Sequence, residues 1–302
     1  MRPTSYDADV LIVGAGPAGV AAAVMAASLK LRTVVVEDRQ VGGKLHTIGA
    51  VENMPGNWST GPELARALAM DLNRIQASGR CTVVPARAVA VNSHDDRAEL
   101  TLDDGQVLTG YSIVVATGVT SLTPADAEWV TAPDDLTAPP LWRATPESLT
   151  GRTYVLGADR PLGTWVRAHP EARTTLHVLC PPADDYKAVE VAGEDRIRLV
   201  PVSHVTITRP SYGDGWTVEA KDRDGERKVY AVTTVLTNLG TKPAALNGLA
   251  LGEDGYCPPN QQPHRIRIAG DLRSARYQRI ATAQGSGAEA VLSSYYATAL
   301  QA

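Results

Sequence analysis

Phenylalanine is absent from the 302-residue sequence, and there are only three cysteines, Cys81, Cys180 and Cys257. No two cysteines lie within four residues of each other, so the chain lacks both a CxxC motif and the spacing of a cysteine-based metal site. Their odd number indicates free thiols, and each is interpreted first as a small buried apolar side chain. The absence of phenylalanine predicts no particular function.

Long apolar runs and an excess of basic charge are also missing. No run reaches the length of a membrane span, and Met1 to Asp7 lacks the apolar region of a signal peptide, so we expect a cytoplasmic protein. The net charge of −4 argues against nucleic acid as the main partner. The pairs Asp95-Asp96, Asp134-Asp135 and Asp184-Asp185 are interpreted as solvated loops, and no metal site is expected.

The length and composition of the chain favour two ordinary globular domains. Apolar residues make up 44% and charged residues 21% of the chain, as is typical of soluble proteins, and 302 residues favour two domains with separate cores. Near the N-terminus an apolar strand, Asp9–Val13, leads into the glycine motif Gly14–Gly19 and an alanine-rich helix, Val20–Leu29. A second strand, Thr33–Val36, ends in Glu37.

This strand–glycine turn–helix–strand pattern is typical of a dinucleotide-binding unit. Gly14 makes the turn, Gly16 lets the backbone approach a pyrophosphate, and Gly19 allows the helix to pack closely on the strand. The helix N-terminus offers free N–H groups and a positive dipole end to phosphates. Glu37 can accept hydrogen bonds from ribose hydroxyls. The acid at the end of the second strand disfavours the alternative, a glycine-rich turn without a nucleotide.

Further motifs follow in a fixed order. GGKL, VENMPG and ATG occupy residues 42–45, 51–56 and 116–118, and AGD at 269–271 precedes YQRIATA at 277–283. Between them the pattern predicts a helix over 62–78, strands over 82–91, 98–102, 107–108 and 111–116, and a final helix reaching Leu300. Over about 120 N-terminal and about 60 C-terminal residues, this order resembles the thioredoxin reductase-like FAD flavoproteins.

The resemblance implies an α/β fold with two Rossmann-like doubly wound domains, the second inserted into the first. An FAD-binding domain would comprise residues 1–118 and 244–302, and residues 119–243 would form a degenerate NAD(P)-binding-like domain. Within the insert, the sequence predicts strands over 153–156, 175–179, 202–208, 216–220 and 228–236. The resemblance also implies a homodimer.

A complete FAD site is implied by the same resemblance. The ADP half would be held by Gly14, Gly16, Ala18 and Glu37, with Val89 near the adenine. Gly43, Lys44, Leu45 and Asn53 would lie near the flavin, Asp271 at the ribityl chain, and Arg279 and Ile280 at the pyrimidine edge. Pro17, Asp38, Ala116, Thr117, Gly118 and Gly270 complete the predicted set.

The start of the final helix has a physical role in that site, because a helix N-terminus stabilises the negative charge of a reduced flavin. The family more often has Gln and Ala where this chain has Arg279 and Ile280. Arg279 either points inward, where it would raise the flavin's potential, or is a surface charge.

The redox dithiol of the family is missing from the insert. With the insert aligned on Tyr154–Gly157, the family's CxxC falls on Pro140–Arg143 and its acidic proton donor falls on Ala144. Without a dithiol, electrons cannot pass from flavin to a disulfide in the family's way. Trp142, which lies in this segment, is interpreted either as a cover for the flavin face or as a domain-interface or core tryptophan.

The NADPH-binding motif of the insert is degenerate. Its loop, Gly157–Gly163, reads GADRPLG: Asp159 would place a carboxylate where a pyrophosphate should sit, and Pro161 removes one N–H from the helix start. Pro181-Pro182 stands where the family has a basic pair for the ribose 2′-phosphate. The remaining basic residues, Arg160, Arg167 and Lys187, either compensate or are solvated surface charges, and we favour the second interpretation.

The sequence therefore predicts an FAD-dependent oxidoreductase that is not a conventional NADPH–thioredoxin reductase. Its electron donor or acceptor would be a redox protein such as a ferredoxin, a small thiol, oxygen, or a nicotinamide bound unconventionally. One alternative is a non-catalytic FAD-binding protein with a sensing or partner-binding role. A weaker one retains thioredoxin-type reduction through Cys180 or Cys257. No catalytic residue is assigned.

Overall fold

The computed structural model describes residues 6–299, and the chain divides into two compact units. Unit 1 combines the residues up to Thr120 with those from Pro243 onward, and unit 2 comprises Ser121–Lys242. Among the helices of the described residues, none is long and apolar enough to cross a membrane. Leu300, the predicted end of the last helix, lies outside the described residues.

The helices and strands are numbered in chain order. The first part of unit 1 contains β1 (Ala8–Val13), α1 (Pro17–Ser28), β2 (Thr33–Val36), α2 (Gly61–Ala77), β3 (Cys81–Val84), β4 (Ala88–Ser93), β5 (Ala98–Leu102), β6 (Val107–Val115) and β7 (Val119–Ser121). Unit 2 contains β8 (Val130–Thr131), β9 (Thr153–Leu156), α3 (Pro161–Ala168), β10 (Leu176–Cys180), α4 (Asp185–Ala188), β11 (Ile197–Pro201), β12 (His204–Thr208), β13 (Trp216–Lys221), β14 (Arg227–Val232) and β15 (Thr234–Thr237). The chain then forms β16 (Thr241–Pro243), which pairs with β7, followed by β17 (Ile266–Ile268) and α5 (Ile280–Ala299).

Unit 1 is built on one seven-stranded sheet in the order β3-β2-β1-β6-β5-β4, with β17 also paired to β6. Strands β1, β2, β3, β6 and β17 run parallel, whereas β4, β5 and β6 pair antiparallel. The apolar, β-branched runs of β1 and β6 suit a strand that is buried on both faces. Their alternate residues enter two separate cores, one with Ile12 and Val114 beneath the helices and one with Leu11 and Val115 on the opposite face.

Unit 2 contains two four-stranded sheets. The first, in the order β11-β10-β9-β15, is entirely parallel and carries α3 against one face, where Leu162 and Trp165 are buried. The second has the order β14-β13-β12-β8 and contributes Val205 and Val218 to a core on the other face, which also includes Tyr154 of β9. A parallel sheet with β–α–β connections is the arrangement of a Rossmann-like unit.

The strands of unit 2 differ from the prediction in three ways. Residues 228–236 form two strands in different sheets, β14 and β15, because the chain turns at Thr233, whose N–H donates to the Arg152 carbonyl 3.0 Å away. Strand β11 was not predicted, since it is an edge strand of largely exposed residues without a clear alternation of burial. The predicted strand over 202–208 begins only at His204.

In unit 1 the elements extend differently from the prediction. The segment 82–91 is split into β3 and β4, and 107–116 forms the single strand β6. Helix α2 begins one residue earlier than predicted and is capped by Thr60, whose side chain accepts a hydrogen bond from the Glu63 N–H. These differences leave the order of the predicted motifs on the sheet unchanged.

Candidate functional site

The loop between β1 and α1 has the backbone geometry of a phosphate site. Gly14 has a φ of +94°, and a Cβ there would lie 2.6 Å from the Ala116 carbonyl oxygen. A Cβ on Gly16, the N-cap of α1, would meet nothing within 4 Å. No side chain caps this helix, so its first N–H groups and dipole face open space and can bind phosphate oxygens.

Glu37, at the end of β2, is fixed by backbone donors. Its Oε2 accepts a hydrogen bond of 2.6 Å from the Ala15 N–H, and its Oε1 accepts one of 2.9 Å from the Arg39 N–H. The carboxylate therefore joins the strand end to the glycine loop, which orients it for a ribose. Asp38 is exposed and lies 3.9 Å from the Arg39 guanidinium.

The GGKL segment lies beside the glycine loop. The Gly42 N–H donates to the Ala15 carbonyl at 2.8 Å, and a Cβ on Gly43 would lie 3.7 Å from Gly16 Cα. Lys44 is exposed, whereas the Leu45 side chain is buried in the core beneath the helices. Gly43 and Lys44 thus border the loop, and Leu45 anchors the segment from below.

The AGD segment reaches the same loop from the C-terminal part of unit 1. A Cβ on Gly270 would lie 3.0 Å from Ala18 Cβ, and the Gly270 N–H donates to Ser286 Oγ at 2.8 Å. Burial raises the pKa of the Asp271 carboxyl, while the positive charges of Lys44 and Arg279 oppose that rise. Arg279, and Lys44 from a distant part of the sequence, are therefore close enough to Asp271 to interact with it electrostatically.

The remaining predicted site residues have no contact with the glycine loop among those described above. Thr117 Oγ1 donates to the Ala244 carbonyl at 2.7 Å, and the Val89 carbonyl accepts from the Asn247 N–H at 3.1 Å. Asn53 is exposed. A Cβ on Gly118 would meet nothing within 4 Å, Pro17 is the first residue of α1, and Ile280 is the first of α5.

Arg279 is exposed, and its guanidinium donates to the Gln278 carbonyl at 2.8 Å. Its charge nevertheless opposes the rise in the pKa of Asp271 that burial causes. The side chain is therefore a surface group that acts on a half-buried carboxylate of the site.

The second glycine loop, between β9 and α3, is occupied by side chains of unit 2 itself. Lys187 Nζ lies 2.9 Å from Asp159 Oδ1 and 3.0 Å from Asp184 Oδ1, and the Ala158 N–H donates to Asp184 Oδ2 at 2.9 Å. The amide of Asn238 donates to the Asp159 carbonyl at 2.8 Å. We call Asp159, Asp184 and Lys187 the charged triad.

The charged triad corrects two interpretations of the sequence. Asp184 is not a solvated loop residue, because its side chain is only 9% exposed. Lys187 is not a solvated surface charge: its side chain is 17% exposed and paired with two carboxylates. Burial alone would lower the pKa of Lys187, but the two carboxylates outweigh that effect and raise the pKa above its usual value.

An internal parallel between the two loops was available in the sequence and was missed. Ala15 donates to Glu37, 22 residues later, and Ala158 donates to Asp184, 26 residues later. In both units an acid beyond the second strand accepts from the loop backbone. The spacing from each Gly-Ala pair to the next acid was the signal that could have identified Asp184.

Comparisons with known proteins agree with this architecture. A family model of FAD dependent oxidoreductases matches residues 9–131. Thioredoxin reductase from Mycolicibacterium smegmatis is 26% identical over 312 residues, which cover 93% of this chain and 94% of that protein. A component of the alkyl hydroperoxide reductase of Staphylococcus aureus is 34% identical over 111 residues; these are 36% of this chain and span only 21% of that longer protein.

Solved structures show the same fold. Thioredoxin reductase from Lactococcus lactis is matched with a TM-score of 0.75 at 21% identity, and that from T. acidophilum with 0.73 at 23%; each match covers 96% of this chain and 98% of the other. The chain therefore has the fold of the thioredoxin reductases, and its N-terminal part is similar to FAD dependent oxidoreductases. Its predicted α/β class with two Rossmann-like domains is confirmed, and FAD is the indicated cofactor.

The residues of unit 1 fit FAD. The open backbone at Gly16 and the uncapped start of α1 suit a pyrophosphate, Glu37 suits a ribose, and the half-buried Asp271 suits a hydroxylated chain. The start of α5 at Ile280 offers further N–H groups. Each predicted role remains a prediction, but the positions are compatible with it.

The residues of unit 2 do not fit the pyrophosphate of NADPH at the loop between β9 and α3. Unlike the first glycine loop, this loop carries a carboxylate of its own, Asp159, which is paired with Lys187, and Lys187 is paired in turn with Asp184. A pyrophosphate there would face Asp159 and Asp184 at close range, and like charges repel strongly where water is scarce.

The three thiols are poorly suited to electron transfer. All are buried and free, and burial raises the pKa of each to about 11. Because the thiolate is the reactive form, none is a ready nucleophile at neutral pH. This disfavours the interpretation in which Cys180 or Cys257 replaces the family dithiol.

The segment that stands in place of the dithiol is held by apolar packing. Leu141 is fully buried in the core under α3, and the Ala144 carbonyl accepts a hydrogen bond of 2.7 Å from Trp165 Nε1. Trp142 is half-buried, with the Arg143 guanidinium 4.7 Å from its ring centroid. Leu141 therefore takes the core position, and Trp142 is not a core tryptophan. The described residues contain no group of acidic, histidine or cysteine side chains that could hold a metal.

Proposed function

We propose that this FAD-dependent oxidoreductase exchanges electrons with a donor or acceptor other than NADPH and a built-in dithiol. The observation that carries the proposal is the charged triad, which fills the nucleotide loop of unit 2 with Asp159, Lys187 and Asp184. The names of its relatives suggest a conventional thioredoxin reductase. The buried, widely spaced cysteines of this chain argue against that activity.

FAD supplies the electron-transfer chemistry when it is bound. The protein's part is to bind and tune it. The glycine loop and the start of α1 would hold the phosphates, and Glu37 would hold a ribose. The start of α5, together with the charges of Lys44 and Arg279, would favour negative charge nearby. No described side chain is assigned as an acid or base.

The external redox partner is proposed by class. A reduced ferredoxin, a small thiol, oxygen, or a nicotinamide other than NADPH that binds away from the loop of Asp159 could each exchange electrons with the flavin without a built-in dithiol. A homodimer and a cytoplasmic location remain parts of the proposal. They are supported by the resemblance to the family and by the sequence features described above.

The test is an anaerobic titration followed by the visible flavin spectrum. The purified protein should contain FAD, and its flavin band should bleach with one of dithiothreitol, reduced ferredoxin or NADH faster than with NADPH. Rapid, complete bleaching by NADPH would contradict the proposal. A colourless protein that does not take up FAD would contradict the cofactor assignment as well.

A second function is favoured by the same filled loop. If no donor reduces the flavin, the protein is a non-catalytic FAD-binding protein in which unit 2 acts as a partner-binding or sensing module. The titration separates the two functions, because the second predicts a stable bound flavin that no donor in the panel bleaches.

A further inference from the structure

An open cavity of about 460 Å³ lies in unit 2, a size within the range of small-molecule sites, roughly 300–1,000 Å³. Its walls include Arg152, Tyr154, His177, Arg198 and Tyr230. The charged triad does not border it. The cavity is therefore separate from the filled nucleotide loop.

The sheet register places three of these side chains in one row. Tyr154 of β9 pairs with His177 of β10, and His177 pairs with Arg198 of β11. Residues that pair across parallel strands lie on the same face of a sheet, and so does Arg152, two residues before Tyr154. The parallel sheet thus presents two arginines around a tyrosine and a histidine.

The aromatic groups form the floor between the arginines. The rings of Tyr154 and His177 are stacked, with centroids 4.9 Å apart and an interplanar angle of 12°. Tyr230 comes from β14 in the other sheet, and its ring centroid is 5.2 Å from that of Tyr154. Such a floor offers ring faces and edges to a planar ligand.

The charges of this cavity are unbalanced. Within the described part of the chain, neither Arg152 nor Arg198 has an ion-pair partner, and both lower the pKa of His177, after the larger effect of its burial. The histidine is therefore neutral at neutral pH, and the two guanidinium groups supply a net positive charge. Guanidinium groups bind carboxylates and phosphates with paired hydrogen bonds.

The hydroxyl of Tyr154 is a further unused group. The residue is only 2% exposed and lines the cavity, yet its hydroxyl makes no hydrogen bond to any described residue. Burial raises its pKa to about 12, so the group is a protonated donor at neutral pH. An anion held by the arginines would supply an acceptor for this hydroxyl.

We propose that this cavity is a binding site for a small aryl anion. The anion, a carboxylate or a phosphate, would lie between Arg152 and Arg198 and accept from the Tyr154 hydroxyl. The ring would rest against His177 and Tyr230. The site does not depend on the proposed electron donor, since it lies within unit 2 and involves no residue of the FAD loop.

The proposal is tested by calorimetric titration of the FAD-loaded protein with four probes: phenyl phosphate, benzoate, inorganic phosphate and phenol. We expect saturable one-to-one binding of phenyl phosphate or benzoate, at least tenfold tighter than that of inorganic phosphate and phenol. The stronger of the two aryl anions identifies the headgroup. If neither binds, or if inorganic phosphate binds as well as phenyl phosphate, the proposal is wrong.

Variants locate the binding. Arg152→Gln and Arg198→Gln each remove one exposed guanidinium group. Each should lower the affinity for the aryl anion about tenfold or more, because a charge-assisted hydrogen bond is lost. Tyr154→Phe should weaken it several-fold. The matched control, Arg173→Gln, removes an exposed arginine of the same unit outside the cavity and should change affinity less than twofold. Equal affinity in R152Q, R198Q and R173Q would overturn the assignment of the site.

Discussion

Because α1 and α5 pack closely, we expect alanine substitutions at two glycines of α5 to change stability in opposite directions. A Cβ on Gly287 would lie 2.0 Å from the Ala18 carbonyl oxygen, whereas a Cβ on Gly285 would meet nothing within 4 Å. Ordinary contacts begin near 3.4 Å, so Gly287→Ala must separate the two helices by more than 1 Å. Because the obstacle is backbone, no side chain can rotate away.

The magnitudes follow from two effects. Replacing an exposed helical glycine with alanine stabilises by up to about 1 kcal/mol, which is the expectation for Gly285→Ala. Gly287→Ala has the same gain in helix propensity, but overpacking against α1 costs about 3 kcal/mol. The free energy of unfolding should therefore fall by about 2 kcal/mol. The two variants should differ by about 3 kcal/mol, or about 6–12 °C in the unfolding midpoint of a unit of this size.

The assay is thermal unfolding of both variants without FAD, followed by FAD binding. Gly287→Ala should lower the midpoint and weaken FAD, because α1 carries the phosphate loop and α5 carries Ser286, the acceptor for Gly270. Gly285→Ala should raise the midpoint or leave it unchanged. Equal midpoints for the two variants would refute the packing of α1 on α5 described above.

Three further predictions concern buried charges and thiols. Lys187→Met leaves the carboxylates of Asp159 and Asp184 without their shared cation and should destabilise unit 2 by about 2–4 kcal/mol. The loss can be measured by tryptophan fluorescence, since four of the five tryptophans lie in that unit. The double variant with Asp159→Asn should recover part of the lost stability, and no recovery would contradict the pairing. Because the pKa of Lys187 is raised above 10.5 in the folded protein, its stabilising effect is complete below the unfolded pKa and is lost as the pH rises through the folded one, so an alkaline decline in stability should be smaller in K187M. Asp271→Asn removes a carboxyl whose pKa burial raises and should leave the FAD-free protein as stable or more stable while weakening FAD retention; unchanged retention would sink its predicted role. A thiol reagent at pH 8 should react with the three cysteines only after denaturation, and rapid reaction of the native protein would show that a thiol is accessible.

Local chemistry explains why the first glycine loop could be anticipated from the sequence. The turn at Gly14, the close packing at Gly19 and the acid at Glu37 each depend on neighbours within about thirty residues. A tight turn, a close approach and a strand-end acid leave a characteristic spacing. The structure places these residues around a loop that matches that pattern.

Of the charged triad, only Asp184 could be anticipated in this way, from its spacing to the Gly157-Ala158 pair. Whether Lys187 is a surface charge depends on the burial of α4 and on its pairing with Asp159, which comes from a separate segment. Sequence periodicity records neither. The same holds for Thr233, where one predicted strand becomes two because the chain changes sheets. In both cases tertiary contacts decide the outcome.

The same limit applies to the proposed aryl-anion site. Arg152, His177 and Arg198 have no motif spacing in the sequence, and only the register of β9, β10 and β11 brings them together. Single arginines in a sequence are most simply interpreted as solvated charges. The pairing of parallel strands turns them into neighbours.

The most direct test of the central claim is the binding of NADPH to the FAD-loaded protein, measured by calorimetry and, in parallel, by the absorbance of the flavin. With the charged triad in the nucleotide loop, we predict no saturable binding at micromolar NADPH and no bleaching that saturates with its concentration. Saturable binding that is coupled to flavin reduction, and that is weakened by a change at Ala158 or Asp159, would show that the loop accepts NADPH after all and would contradict the account.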